Sequence, residues 1–288
     1  MIYLITVNYE AADLIRELWA SVRSQLEGEA LLVIVNNSPN EAAVQTLAAE
    51  GVVILEAGAN LGFGGGCNLG LAWVYARDAG AIAWLINPDA QLTPGALQQA
   101  IAFCQMHTHL SIVGTLICEE GGRIWFAGGT FNPQDGTILA ATTLPDSTAD
   151  YLETAWVTGC SLILNLANFA ECPQFDRRYF LYYEDFDFCR RYVQQGHAIA
   201  IAPQITVIHQ PSSITGRAPS RKSRISTTSY LLALATHTAP PVWLYRLGRI
   251  IGHAIKISLV EPETAIAIIK GVFDYLVRVR RFVPTPHR

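Results

Sequence analysis

Four short apolar runs shape the first ninety residues. Residues 1–7, 31–35, 52–55 and 81–86 carry no charge and no 3.6-residue period. Runs this short and apolar read as strands covered on both faces. Between them lie segments of helical character. Residues 10–26 place Leu14, Ile15, Leu18 and Val22 on one face. Further helices are expected over 41–50, from the glycine-rich stretch at 58–66 to about residue 79, and just after Pro94. The alternation predicts an α/β fold with a mostly parallel central sheet flanked by helices.

Ligands of such sheets bind beyond the carboxyl ends of the strands. The polar residues at those ends are Asn8, Asn36, Asn37, Asn60 and Asp89, and they are expected to converge on one crevice. Further along, residues 111–118 and 154–164 read as strands, with loops and hairpins over 121–150. Residues 180–195 become helical in their later part and stop at Gly196. Two short strands follow at 197–202 and 206–209, and only helices beyond about residue 220.

The composition is 51% hydrophobic and 15% charged, which excludes a disordered chain. The net charge of −4 conceals an asymmetry. Residues 1–216 hold 8 Lys and Arg against 21 Asp and Glu, whereas residues 217–288 hold 12 against 3. A basic end on an acidic body points to an anionic contact such as lipid headgroups or phosphates. Nucleic acid is a poor fit, because the body is acidic and the basic residues are mixed with apolar helix positions. The six cysteines form no CxxC pair and no zinc spacing. With no secretory leader at the N-terminus, they read as reduced thiols of a cytoplasmic protein. The uncharged stretch 225–245 is interrupted by Ser, Thr and Pro240-Pro241, so interfacial helices are expected rather than a span.

Four segments carry chemistry. The cluster Asn60-Leu61-Gly62-Phe63-Gly64-Gly65-Gly66-Cys67-Asn68 joins a strand to a helix, where glycine lets a backbone approach a phosphate. It lacks the Gly-Lys-Ser/Thr of a P-loop, and a tight strand-to-helix turn has the same look. Asn87-Pro88-Asp89 ends a buried strand, as suits a carboxylate holding a divalent cation against a diphosphate, or a helix-capping turn. Tyr182-Tyr183-Glu184-Asp185-Phe186-Asp187 sets three carboxylates among aromatics, where one can serve as a general base. His209 ends a strand, and Arg217, Arg221, Lys222 and Arg224 follow it as a basic loop or linker.

These residues resemble a known family. Val7-Asn8-Tyr9, Val35-Asn36-Asn37-Ser38, the spaced glycines and asparagines from Asn60 to Gly70, and Asn87-Pro88-Asp89 are similar to the family 2 glycosyltransferases of GT-A fold. Trp156-Val157-Thr158-Gly159-Cys160, Phe175-Asp176, Tyr183-Glu184-Asp185-x-Asp187-x-Cys189-x-Arg191 and His209 extend the match in order, nearest to the rhamnosyltransferase-like branch. The resemblance spans about residues 1–216, taken as the catalytic domain, with 217–288 as a basic amphipathic helical region. It implies inverting transfer from a nucleoside-diphosphate sugar to a hydroxyl of a saccharide or lipid-linked acceptor, as in cell-surface polysaccharide synthesis. It assigns Asp89 and His209 to Mg²⁺ or Mn²⁺ and Asp185 to the base, with Glu184 and Asp187 in support. The nucleotide set it implies is Thr6, Asn8, Asn36, Asn37, Asn60, Gly62, Gly66, Asn68 and Asn87. Asn36 stands where the family usually has an acid. The competing readings are an inactive nucleotide-binding or scaffold member and a sugar-nucleotide pyrophosphorylase, whose basic glycine loop after the first strand is absent. For the C-terminal helices, an anionic membrane on the inner face of the cell and packing in a homodimer both stay open.

Overall fold

The computed structural model describes residues 1–25, 30–39, 41–210 and 219–282, with side chains described up to residue 277. Its centre is β1 (Ile2–Asn8), every residue of which is buried. Helix α1 (Ala12–Arg23) returns the chain to β2 (Ala30–Asn36), and β3 (Val52–Glu56) follows on the same side. Helix α2 (Gly62–Tyr75) then crosses back, so that β4 (Ile82–Ile86) pairs with the other edge of β1. The four strands are parallel in the order β3-β2-β1-β4. The chain reverses direction of travel between β1 and β4, and a crevice opens there at the strands' carboxyl ends.

The rest of the sheet is mixed. Strand β5 (Ala90–Leu92) and helix α3 (Ala96–Met106) lead into β6 (Leu110–Cys118). The short strand β7 (Ile124–Phe126) folds back on β6, and β8 (Gly129–Asn132) with β9 (Thr137–Ala140) forms a separate hairpin. Strand β10 (Leu152–Glu153) lies at the edge, while β11 (Ser161–Asn165) inserts antiparallel between β4 and β6. Helix α4 (Glu184–Gln194) precedes β12 (Ala198–His209), which is parallel to β6. In the core, the buried Trp84 indole N–H donates to Ser161 Oγ at 2.9 Å, and the Thr115 hydroxyl donates to the same oxygen at 2.8 Å. That chain satisfies polar groups which would otherwise be costly at this depth.

Three local expectations change. Residues 41–50 form only a 3₁₀ segment, Ala42–Leu47, because Val44 and Leu47 alone reach the core; too little apolar area is buried to support a full helix. Residues 154–164 are not one strand: the chain leaves the sheet after β10 and re-enters as β11, and the loop between them, with Gly159, packs on Phe63. The stretch expected as two strands over 197–202 and 206–209 is one strand, Ala198–His209, with a register shift between Ala202 and Thr206 at Pro203, which has no N–H for the ladder.

Three helices close the described chain: α5 (Pro219–His237), α6 (Pro240–Ile257) and α7 (Pro262–Phe282). Helix α5 is joined to the body. Its Ala233 packs with Tyr179 and Phe186, Ser229 Oγ donates to the Leu181 carbonyl at 2.8 Å, and the Tyr230 hydroxyl donates to the Gly136 carbonyl at 3.1 Å. On its other side Leu231 meets Val272 and Tyr275 of α7. A Cβ on Gly271 would stand 2.5 Å from the Arg224 carbonyl oxygen, so the α5–α7 crossing depends on that glycine. Arg217 and the segment 211–218 lie outside the described residues.

Candidate active site

A cavity of about 800 Å³ opens at the carboxyl ends of β1 and β4. Its floor includes Val7, Asn37, Asn87 and Asp89, and its far wall includes Glu184, Asp185 and His209. Of the five side chains to which the resemblance assigns chemistry, Asp89, Glu184, Asp185 and His209 therefore face one space, and Asp187 does not.

Backbone ladders bring them there. Strand β5 pairs antiparallel with β12 so that His209 lies opposite Ala90, one residue past Asp89. The Gln210 N–H also donates to the Asp89 carbonyl at 3.1 Å. His209 Nε2 comes within 3.3 Å of Asp89 Oδ1, and both side chains are buried. Neither ring nitrogen of His209 has a hydrogen-bond partner among the described residues. A buried imidazole left in that state beside a carboxylate suits a cation taken by both. Trp125 packs edge-on to the imidazole, with centroids 4.7 Å apart, and holds its plane. Among the described residues no three His, Cys, Asp or Glu side chains form a metal cage. A cation at Asp89 and His209 would take its remaining ligands from a bound anion or water.

Asp185 is tied to the same floor. The Asn87 N–H donates to the Cys160 carbonyl at 2.9 Å, and the Gly159 N–H donates to Asp185 Oδ2 at 2.9 Å. Asp185 Oδ1 accepts from the Phe186 N–H at 2.8 Å. Burial raises the Asp185 carboxyl above the usual carboxylate range, while the Gly159 and Phe186 N–H groups and the Thr158 hydroxyl pull it back down. Its place in the first turn of α4 also favours the charged form. Glu184 differs. Burial, and then the neighbouring Asp185 charge, raise it well above that range, and its Oε2 has no partner among the described residues. Burial thus raises both adjacent carboxyls, and more hydrogen bonds favour the charged form at Asp185 than at Glu184.

The approach to α4 is strained. Tyr182 and Tyr183 both have left-handed backbones, with φ of 68° and 63°. That region is unfavourable for aromatic residues and marks sites where geometry is imposed. The neighbouring Phe180 carbonyl accepts from the Phe63 N–H at 3.1 Å, and Gly62 has φ 75° with no room for a Cβ, which would stand 2.0 Å from the Phe180 oxygen. The glycine cluster is therefore where α2 starts against the strained segment, and of its expected ligand residues Asn60 and Gly62 line the cavity.

Other expected site residues lie behind the wall. Asp187 is fully buried away from the cavity: Arg191 Nε donates to its Oδ2 at 2.7 Å, and His237 Nε2 lies 2.9 Å from its Oδ1. It joins α4 to α5 and is not a group that touches a ligand in the cavity. The Asn8 amide donates to Asn36 Oδ1 at 3.0 Å and to Glu41 at 2.8 Å, and the Asn36 amide donates to Glu56 at 2.9 Å. These bonds turn both side chains into the strand-end network. Asn68 clamps Phe175, donating to its carbonyl at 2.9 Å and accepting from its N–H at 2.7 Å. A Cβ on Gly66 would meet Val7 at 2.7 Å, so this glycine serves helix-to-sheet packing. Thr6 is buried within β1.

Sequence reading did not assign the wall formed by Trp125, Phe126, Ile138 and Trp156, nor the Gly159 N–H. Trp125, Phe126 and Ile138 come from a loop-rich stretch without periodicity; Trp156 and Gly159 stand in a motif that gave no hint of their orientation. Arg221 and Lys222 at the start of α5 also line the cavity, whereas Arg224 pairs with Asp274 at 2.6 Å.

Residues 3–163 match the family model for glycosyl transferase family 2. The chain belongs to glycosyl transferase family 2. It is 25% identical over 274 residues to an N-acetylglucosaminyl-diphospho-decaprenol L-rhamnosyltransferase of Mycobacterium tuberculosis, covering 84% of this chain and 88% of that protein. It is 22% identical over 210 residues to the low-salt glycan biosynthesis hexosyltransferase Agl10 of Haloferax volcanii, covering 72% and 66%. Among solved structures, S. aureus TarS 1–349 in complex with UDP-GlcNAc superposes with a TM-score of 0.60 at 15% identity, over 98% of this chain and 83% of that one. The mannosyltransferase PcManGT of Pyrobaculum calidifontis, in complex with GDP-Man and Mn²⁺, superposes with a TM-score of 0.55 at 12% identity, over 96% and 86%. This family 2 glycosyltransferase thus has the fold of known sugar-transfer enzymes over nearly its whole length.

Proposed function

We propose that this glycosyltransferase moves a sugar from a nucleoside-diphosphate donor to a hydroxyl of a saccharide acceptor, with inversion at the anomeric carbon. The observation that carries this reading is the convergence of Asp185 with the Asp89–His209 pair on one cavity. Asp185 takes the proton from the acceptor hydroxyl, and the freed oxygen attacks the anomeric carbon. The bond from that carbon to the diphosphate breaks on the opposite face, and the nucleoside diphosphate leaves with the electron pair. The Gly159 N–H keeps the Asp185 carboxylate aimed during proton removal. Asp89 and His209 would hold Mg²⁺ or Mn²⁺, which neutralises charge building on the leaving diphosphate. The Mn²⁺ and GDP-Man bound by the archaeal mannosyltransferase support that role. The mycobacterial relative's name supports a lipid-linked saccharide as acceptor and rhamnose as a donor sugar to test first.

Asp185→Asn keeps the size and hydrogen bonds of the side chain and removes the base. Turnover is expected to fall about 10²- to 10⁴-fold, while donor binding, read by calorimetry, stays near wild type. Unchanged turnover would remove Asp185 from the role. Excess chelator is expected to abolish transfer, with Mn²⁺ restoring it, and His209→Ala should weaken Mn²⁺ binding measured by titration without substrate. Full transfer in chelator would refute the metal assignment.

A further inference from the structure

Helices α6 and α7 each carry two apolar faces, and only one of them is used. The inner faces are occupied: Trp243, Leu247 and Ile250 of α6 pack with Val272 and Tyr275 of α7. The outer faces are open. On α7, Ile266, Ile269, Phe273 and Leu276 recur at three- and four-residue spacing, all at least 43% exposed. On α6, Leu244, Tyr245 and Ile255 are at least 57% exposed. The turn between the helices is the extreme case, with Leu259 95% exposed and Val260 82% exposed. Adjacent aliphatic side chains standing free at the tip of a helical hairpin are not what a water-facing turn requires.

The charges around this surface select its partner. Arg249, Lys256 and Lys270 are exposed beside the apolar positions, and residues 217–288 carry a net +9 against −13 for the rest of the chain. Glu261 and Glu263 flank the tip on the α7 side. No helix among the described residues is long and apolar enough to cross a membrane. An apolar face edged by cations, too short to span, fits the headgroup layer of an anionic bilayer, where aliphatic side chains reach the acyl boundary and Lys and Arg meet the phosphates.

We propose that the α6–α7 hairpin is a membrane-docking element, with Leu259 and Val260 entering an anionic lipid surface. The same chain supplies a geometric link to the cavity. Helix α5, which packs on α7, presents Arg221, Lys222 and Ile225 to the cavity. Docking through α6–α7 therefore sets the height of the active-site mouth above the lipid. This inference stands independently of the reaction proposed for the cavity.

The test is flotation of the full chain with vesicles of phosphatidylglycerol and phosphatidylcholine, and with phosphatidylcholine alone. Binding is expected to the mixed vesicles at low salt and to weaken as salt rises. The double variant Leu259→Asp, Val260→Asp should bind mixed vesicles at least about tenfold more weakly, since two aliphatic side chains lose their burial. Lys256→Glu with Lys270→Glu should lower binding to mixed vesicles and leave the phosphatidylcholine result unchanged. All these side chains are exposed, so the variants should keep the wild-type circular dichroism and melting temperature. Failure of the wild-type chain to float at low salt would overturn the proposal. So would light scattering showing a dimer that the Leu259 and Val260 substitutions dissociate, because a second copy would then cover the face.

Discussion

Glu184 and Asp185 are neighbours in the chain, and hydrogen bonds set their acidities apart. Both are pushed toward the neutral form by burial; Asp185 is drawn back by the Gly159 and Phe186 N–H groups and the Thr158 hydroxyl, and Glu184 by its own N–H alone. Transfer should decline with falling pH as Asp185 takes up a proton, and it should do so at higher pH than an ordinary aspartate would dictate. Glu184 leaves a signature in stability. In the unfolded chain its carboxyl ionises near pH ~4.3, whereas the folded protein holds the proton to higher pH. Its contribution is therefore full below the unfolded value and is lost as pH rises toward the folded one. Glu184→Gln should flatten that decline, so urea midpoints of variant and parent should agree in acid and the variant should gain at neutral pH. A variant less stable than the parent at neutral pH would mean that the Glu184 charge is paired after all.

At the scale of elements, the site is an assembly of loops pinned to strand ends. Helix α2 is aligned by Asn68, whose side chain satisfies both the N–H and the C=O of Phe175, 107 residues away. Asn68→Ala would leave both peptide groups buried without partners, a loss of roughly 2–4 kcal/mol. Chemical denaturation should read that loss as a lower midpoint with an unchanged slope, and a shift inside error would show that water replaces the amide. Helix α4 is fixed by a different device. The Asp187 carboxylate lies between Arg191 of its own helix and His237 of α5. A residue expected to help the chemistry thus orients the helix that carries Asp185, the proposed base.

For the molecule as a whole, helix α5 ties the C-terminal helices to the body. Helix α5 supplies Ala233 to the cluster around Tyr179 and Phe186 and supplies His237 to buried Asp187. A chain ending at residue 216 would uncover those aromatics and leave Asp187 short of a partner. It should melt well below the full chain or aggregate on expression, while the full chain should unfold in one transition by circular dichroism and tryptophan fluorescence alike. A truncated protein with an unchanged melting temperature would show instead that the catalytic part is self-sufficient.

What could be read from the residues alone were the properties that depend on local pattern. Short uncharged runs specify strands buried on both faces, and their carboxyl ends name the crevice, so β1 to β4 and the placement of Asp89 were legible. The family motifs added the nomination of Asp185 and His209 because those residue types recur at fixed order along the chain. Orientation was not legible. Asn8, Asn36, Asn68 and Asp187 sit within the same motifs yet turn into buried networks, and which way a side chain turns depends on partners such as Glu56, Phe175 and His237 that are distant in sequence. The part of the aromatic wall that Trp125, Phe126 and Ile138 bring from β7 and β9 likewise had no local signature, whereas the apolar, basic-edged helices α6 and α7 were legible and which of their faces stays open was not. An apolar residue looks the same in the sequence whether it is packed or bare, and only the three-dimensional arrangement decides which of its neighbours arrive to cover it.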